Sequence, residues 1–204
     1  MLIRLFEENI DQRRVTQIID ILQSGGIIIY PTDTVYSMGC DIMNQKAVEK
    51  VAKLKGIEVE RSRFSFICYD LSHLSDYARP IPNPVFKLMK RNLPGPFTFI
   101  LEASNNIPKL FKNKKKTVGI RIPNHNIPLE IVKKLGNPLL TTSIHDYDEI
   151  IEYTTDPEII HDNFGHLVDI VIDGGYGNNI PSTVVNCTID PPEILRQGLG
   201  IFEE

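Results

Sequence analysis

Residues 25–41 read Gly-Gly-Ile-Ile-Ile-Tyr-Pro-Thr-Asp-Thr-Val-Tyr-Ser-Met-Gly-Cys-Asp, and the fold class turns on how this stretch is parsed. A glycine pair, the apolar β-branched residues Ile27, Ile28 and Ile29, and then Pro31 followed by small hydroxyl residues spell a buried strand that breaks into a turn. Strand ends of this kind are common places for a site in α/β sheets. Pro31 fixes its own φ and lacks a backbone donor. Thr32, Asp33, Thr34 and Tyr36 are therefore expected on a stiff loop, where hydroxyls can meet a polar or anionic ligand.

Working outward, Val15, Ile18, Ile19 and Leu22 recur at helical spacing over residues 11–24, and Gly25-Gly26 supplies the stop. Downstream, Asn44 can cap a second helix whose Val48, Val51 and Ala52 share one face and which ends near Gly56. Lys50, Lys53 and Lys55 sit in its last turns, where cations complement the helix dipole. Residues 64–68 read as a strand, and Asn83-Pro84 starts a third helix through Leu88 and Met89. Strands are expected at residues 97–101, 117–121 and 139–142, with a helix at 128–135 closed by Gly136. Asp156-Pro157 opens one more helix through Ile160, and strands at 167–172, 183–186 and 193–195 follow. Helices and strands alternate first and strands crowd the second half. The expected class is α/β (α+β), a single domain over residues 1–204 with a twisted mixed sheet flanked by helices.

A chain of 204 residues with 42% hydrophobic composition can bury a sizeable core. Three widely spaced cysteines, Cys40, Cys68 and Cys187, fit neither a disulfide framework nor a zinc site. The five histidines lack metal-ligand spacing, so no protein-built metal site is expected. With no charged-then-apolar leader and no apolar run long enough to span a bilayer, the expected location is the cytoplasm. A net charge of −4 does not mark a bulk nucleic-acid binder. RNA contact would need a local basic surface, and the lysine-rich stretch at residues 109–116 reads first as a solvated loop.

Familiar catalytic signatures are missing: no G-x-S-x-G, no P-loop, no H-E-x-x-H and no dinucleotide fingerprint. What recurs is small hydroxyl residues at strand ends: Thr32 and Thr34, Thr142 and Ser143, Ser182 and Thr183. Together with Lys55, Arg61, Arg63, Arg121 and Arg196 they have the makings of a pocket for phosphates and carboxylates. Spacing alone leaves open the alternative that these arginines pair with surface acids.

Seven stretches in series, at residues 26–41, 93–101, 118–123, 138–143, 169–175, 181–185 and 194–198, together resemble the YrdC/YciO family, whose best-understood members are threonylcarbamoyl-AMP synthases. The resemblance implies a twisted α/β sheet with a large concave cavity. It also implies condensation of threonine, bicarbonate and ATP to threonylcarbamoyl-AMP and pyrophosphate, the first step in modifying the adenosine beside the tRNA anticodon. Thr34, Lys55 and Ser143 are the catalytic set it implies. Thr32, Tyr36, Arg61, Arg63, Arg121, His145, Ser182, Thr183 and Arg196 are the implied substrate and nucleotide contacts, with Mg2+ carried on the phosphates. Double-stranded RNA binding is a further property of the wider family, and with it comes the alternative of a nucleotide- or RNA-binding protein without efficient turnover. Two departures from the synthase pattern stand out. Lys55-Gly56-Ile57 carries isoleucine where the synthases have arginine, and Ser143-Ile144-His145 carries histidine where they have asparagine. Both departures, with residues 64–71 and 116–119, resemble the YciO branch.

Overall fold

The computed structural model describes residues 1–59, 64–111, 116–144 and 155–202. In chain order the elements are β1 (Leu2–Arg4), α1 (Gln12–Gln23), β2 (Ile28–Tyr30), β3 (Ser37–Gly39), α2 (Gln45–Leu54), β4 (Ser65–Ile67), α3 (Leu71–Tyr77) and α4 (Asn83–Asn92). There follow β5 (Phe97–Glu102), β6 (Thr117–Arg121), α5 (Asn126–Leu135), β7 (Leu139–Ser143), α6 (Pro157–Phe164), β8 (Ile170–Asp173), β9 (Thr183–Asn186) and β10 (Glu193–Arg196). The caps expected at Asn44 and Gly136 are in place, and Asp11 adds one that the sequence reading does not single out. Asp11 accepts from Arg13 N at 2.9 Å to start α1, and Asn44 accepts from Ala47 N at 3.1 Å to start α2. Gly136 takes a left-handed φ of 80° behind α5, a conformation that a side chain would strain.

Three elements go beyond the sequence reading. Strands β1 and β3 are three residues each, too short for a periodic signal, and β3 (Ser-Met-Gly) also lacks β-branched residues. Helix α3 has seven residues and is started by Asp70, which accepts from His73 N at 2.7 Å. The helix at Asn83 is thus the fourth and not the third. The strand expected at residues 167–172 runs instead from Ile170 to Asp173.

All strands join one ten-stranded mixed sheet in the order β1-β8-β2-β3-β7-β4-β6-β5-β9-β10. Paired residues share a face and neighbours along a strand alternate, so the register sorts the side chains into two layers. One layer holds Tyr36, Met38, Cys40, Phe66, Leu140, Ile120, Phe99 and Val185, and α2, α3, α4 and α6 pack on it to form the larger core. The other layer is divided. Over β1, β8 and β2 it carries Ile3, Ile170, Ile172, Ile28 and Tyr30, covered by Val15, Ile18 and Leu22 of α1 and Ile127, Ile131 and Val132 of α5. Past β2, Ile67 of β4 and Leu139 of β7 extend this cluster and α5 packs against β4, while the rest of the layer turns to small and polar residues.

Candidate functional site

The polar part of that layer is the candidate site, a trough whose floor residues Ser37, Thr98, Thr141 and Ser182 are themselves buried, and the strand register shows how they line up. Ser37 pairs with Ser143, and two residues back along β7 lies Thr141, which pairs with Ser65. Ser65 pairs with Gly119, Gly119 with Ile100, and beside Ile100 on the same face stands Thr98, paired with Val184. Ser182 precedes Val184 by two residues and Arg196 pairs with Val184, so both belong to this face as well. Hydroxyls and a glycine therefore run across strands that are far apart in sequence.

At the β2 end stands Arg121, on the face of Ile67, its β4 partner. Its Nη2 donates to Thr34 Oγ1 at 2.9 Å and to Asp33 Oδ1 at 2.9 Å, with only 6% and 9% of the Arg121 and Asp33 side chains exposed. Burial pulls the guanidinium below its ordinary pKa and the Asp33 charge holds it up. The second Asp33 oxygen accepts from Asn124 N at 3.0 Å. Thr32 Oγ1 donates to Val35 O at 2.8 Å, so it can receive the Thr34 hydroxyl 3.1 Å away. The chain of donors runs Arg121, Thr34, Thr32, Val35. Thr34 is fully buried and its hydroxyl serves to orient Arg121.

At the far end, Arg196 Nη2 and Nε donate to Ser182 O at 2.8 and 3.2 Å, and Ser182 Oγ lies 2.8 Å from Thr98 Oγ1. Arg196 makes no ion pair to a described carboxylate. Burial lowers its pKa first, and the field of Arg121 lowers it further. Two cations thus lie along one hydroxyl-lined floor, an arrangement that favours an anion between them. At the β7 end, Lys55 Nζ donates to the carbonyls of Ser143 at 2.9 Å and Ile144 at 3.2 Å, which places its ammonium at the strand terminus.

Not every expected residue faces the trough. Tyr36 lies in the opposite layer, where its hydroxyl donates to Gly175 O at 2.7 Å and accepts from Gly174 N at 3.2 Å, pinning that turn beneath the Thr32–Thr34 loop. Thr183 pairs with core residue Phe97 and is likewise turned away; its hydroxyl donates to Gly200 O at 2.6 Å and accepts from Gly198 N at 2.9 Å, tying down the C-terminal segment. Ile57 packs against the larger core. Arg61, Arg63 and His145 lie outside the described residues. Ser37, Ser65, Thr98, Gly119 and Thr141 join the candidate site without standing in the expected strand-end positions, and Asp33 of the Thr32–Thr34 loop joins it through Arg121. Period-2 alternation was the available signal: Phe64-Ser65-Phe66 and Val118-Gly119-Ile120 both set one small residue between apolar ones.

A separate cleft of about 610 Å3 is lined by Glu7, Glu8, Asp70 and Glu130 together with Lys133, Asn126 and Tyr69. Its carboxylates are unsuited to an anionic ligand, and the trough with its two guanidiniums remains the candidate site.

The family model for Sua5/YciO/YrdC, described as telomere recombination, matches residues 20–198. This chain belongs to the Sua5/YciO/YrdC family. Within the family it is similar to the uncharacterized protein YciO of Escherichia coli, 38% identical over 95% of this chain and 93% of that one. The crystal structure of E. coli YciO superposes with a TM-score of 0.91, covering 98% and 97% of the two chains. The threonylcarbamoyl-AMP synthase of Bacillus subtilis is 32% identical over 94% of this chain but only 55% of its own length. The structure of Pyrococcus abyssi Sua5 complexed with L-threonine has a TM-score of 0.87 at 26% identity, covering 97% of this chain and 57% of that one. The chain thus spans a little over half of those two synthase-type relatives, whereas the threonylcarbamoyl-AMP synthase of Coxiella burnetii, 27% identical, is matched over 96% of its own length and 89% of this chain. No described helix is long and apolar enough to cross a membrane.

Proposed function

We propose that this protein binds ATP and threonine in the trough and condenses them with bicarbonate to threonylcarbamoyl-AMP and pyrophosphate, more slowly than a dedicated synthase. The observation that carries this reading is the pair of guanidiniums, Arg121 and Arg196, set along one hydroxyl-lined floor, with Arg121 paired to Asp33 and Arg196 making no ion pair to a described carboxylate. Two anions and a triphosphate brought into one trough repel one another, and held cations offset that repulsion at the reacting centre. Arg121 is the carboxylate-binding group in this reading, aimed by Thr34 and Thr32, while its ion pair with Asp33 limits the net charge at that end. Arg196 and Ser182 take the phosphates. Lys55 stands at the β7 terminus beside Ser143, within reach of a developing negative charge.

Magnesium carried in on the phosphates would neutralise further charge. Both Asp33 oxygens are engaged by Arg121 and Asn124, and no three His, Cys, Asp or Glu side chains gather among the described residues, so phosphate oxygens and water would hold the ion. The support from kinship is the threonine complex of P. abyssi Sua5 and the synthase relative of B. subtilis. The deciding experiment incubates purified protein with ATP, threonine and bicarbonate and measures pyrophosphate. Release that depends on all three is the expected result. ATP and threonine binding without any release would make the chain a binding protein, and binding of neither would overturn the assignment of the trough.

A further inference from the structure

Behind Arg121, three buried polar atoms come together without a partner. Tyr30 Oη, Thr141 Oγ1 and Arg121 Nε are closed to solvent and make no hydrogen bond among the described residues, and the three residues are exposed over at most 5% of their surface. Buried donors and acceptors are nearly always satisfied, so three at one place call for a physical reason. Tyr30 pairs with Ser37 and Ser37 with Ser143, two residues past Thr141, so Tyr30 and Thr141 share a face across β3. Continued from Met38–Thr142 toward Asp41–Leu139, the same register sets Gly39 opposite Thr141. The Tyr30 ring leans over that glycine: a Cβ built on Gly39 would come within 3.2 Å of Tyr30 Cε1. Arg121 arrives from β6, and its Nη2 is held 2.9 Å from Thr34 Oγ1, in the loop that leaves Tyr30. Burial pushes the Tyr30 phenol up, while the Thr141 hydroxyl and then the Arg121 charge pull it back, as neighbours do.

The charges already present decide what can satisfy these atoms. Arg121 and Asp33 pair at 2.9 Å, so a further anion would stand uncompensated and a cation would meet the guanidinium. A neutral water suits all three groups. It accepts from the guanidinium Nε–H and from the phenol and donates to the threonine hydroxyl, which makes about three bonds, the usual number for a buried water. The guanidinium is then divided. Nη2 is taken by Asp33 and Thr34, Nε by the water, and Nη1, which has no bond among the described residues, is left for a ligand. Two held nitrogens fix the plane and with it the direction of the third.

We propose that Tyr30 and Thr141 hold one buried water against Arg121 Nε, and that this water sets the guanidinium plane so that Nη1 faces the ligand. Tyr30 and Thr141 are positioning residues, acting through Arg121 rather than on a substrate. This role deepens the function proposed above, in which Arg121 takes the threonine carboxylate, and rests on it.

The test uses the whole chain, first without ligand and then with threonine or ATP. Arginine side-chain NMR should show an Arg121 Nε–H that is protected from exchange with bulk solvent and in contact with a bound water. Tyr30→Phe and Thr141→Val keep the shape of each side chain and remove one hydroxyl. Removal of a hydroxyl that bonds a water lowers the urea midpoint, whereas removal of one with no partner leaves the midpoint unchanged or raises it. Both variants should show a lower midpoint and a shifted Nε–H signal. Threonine affinity should fall about threefold to tenfold by calorimetry, with ATP affinity within about twofold of wild type. A midpoint that holds or rises in both variants, or an Nε–H without water contact, overturns the water. Lower midpoints with unchanged threonine affinity overturn the positioning role. Wild-type protein that binds ATP but no threonine overturns the assignment of Arg121 above, and the spectrum and the midpoints still decide the water.

Discussion

One face of one sheet holds two halves built for opposite purposes. Over β1, β8 and β2 it carries Ile3, Ile28, Ile170 and Ile172, and α1 and α5 close over them. Over β3, β7, β4, β6 and β5 the same face carries Ser37, Ser143, Ser65, Gly119 and Thr98, and α5 reaches this half at Leu139 and Ile67, at the ends of β7 and β4. The backbone hydrogen bonding is continuous across the boundary, so the side chains alone decide which half a helix can cover. Apolar residues gain from burial and draw a helix down, while hydroxyls and glycine gain little from an apolar cover. The sheet is held together by its other layer, where Phe66, Ile120 and Phe99 continue the core beneath the trough. This allows the open half to carry polar residues without losing its support.

Arg121 stands where the two halves meet, and changing it should have the largest effect. Arg121→Ala leaves the Asp33 carboxylate buried with its charge unpaired, a loss of about 3–5 kcal/mol in stability by urea titration. Arg121→Ala/Asp33→Asn should regain a substantial part of it without restoring threonine binding. No regain would mean that Arg121 matters through packing.

Next, Ile28→Ala in the covered half should cost about 2–4 kcal/mol, because Ile28 is fully buried and its truncation removes buried apolar contact and leaves a cavity. The folded fraction should bind ATP as the wild type does. A matching loss of ATP affinity would deny that the halves are separable. Arg196→Ala should do the reverse: ATP affinity drops by about 1.5–3 kcal/mol by calorimetry, with stability nearly constant.

How far these halves could be read from the sequence depends on how local their signals are. Helix α1 announced itself through four periodic apolar residues, Val15, Ile18, Ile19 and Leu22, and α2 through Val48, Val51 and Ala52 behind the Asn44 cap. Helix α3 buries only His73 and Leu74 over seven residues, which is too little period to detect. At the site, Arg121, Ser182 and Arg196 lie in motifs and were found there. The floor was not, because Ser37, Ser65 and Gly119 become neighbours only through a register among non-consecutive strands. Thr183 and Tyr36 illustrate the converse. Both sit in the right motifs, but strand alternation turns them to the other layer.

A smaller effect concerns the boundary at pH values below neutrality. His125 caps α5 by accepting from Ile127 N at Nδ1, which an imidazolium cannot do, and burial lowers its pKa against the pull of Glu7 and Asp33. The unfolded chain then binds the proton more readily. Stability contributed by the neutral ring is complete above about pH 6.5 and declines as pH falls below it, by at most about 1.4 kcal/mol per pH unit for one group. His73, also lowered by burial, acts in the same sense. His125→Asn keeps a cap and should flatten the difference between urea titrations at pH 7.5 and 5.5, leaving the His73 share. An unchanged pH dependence would remove His125 from the account.

The smallest effect is expected at Ile57, where the synthase pattern has arginine. Replacing a missing cation in a site that gathers anions ordinarily changes a rate by a hundredfold or so. Ile57, however, follows α2 with its amide donating to Ala52 O at 3.0 Å, and its side chain packs against the larger core, in the layer away from the trough. An arginine placed there would have to leave that contact and turn around the chain before its guanidinium reached a substrate. Lys55, two residues earlier, already reaches the Ser143 and Ile144 carbonyls. Ile57→Arg should therefore alter threonine-dependent pyrophosphate release by less than about threefold, within the range of a mere change in packing. A gain of tenfold or more would show that the turn after α2 rearranges when substrates bind, and that the layer assignment of Ile57 holds only for the ligand-free chain.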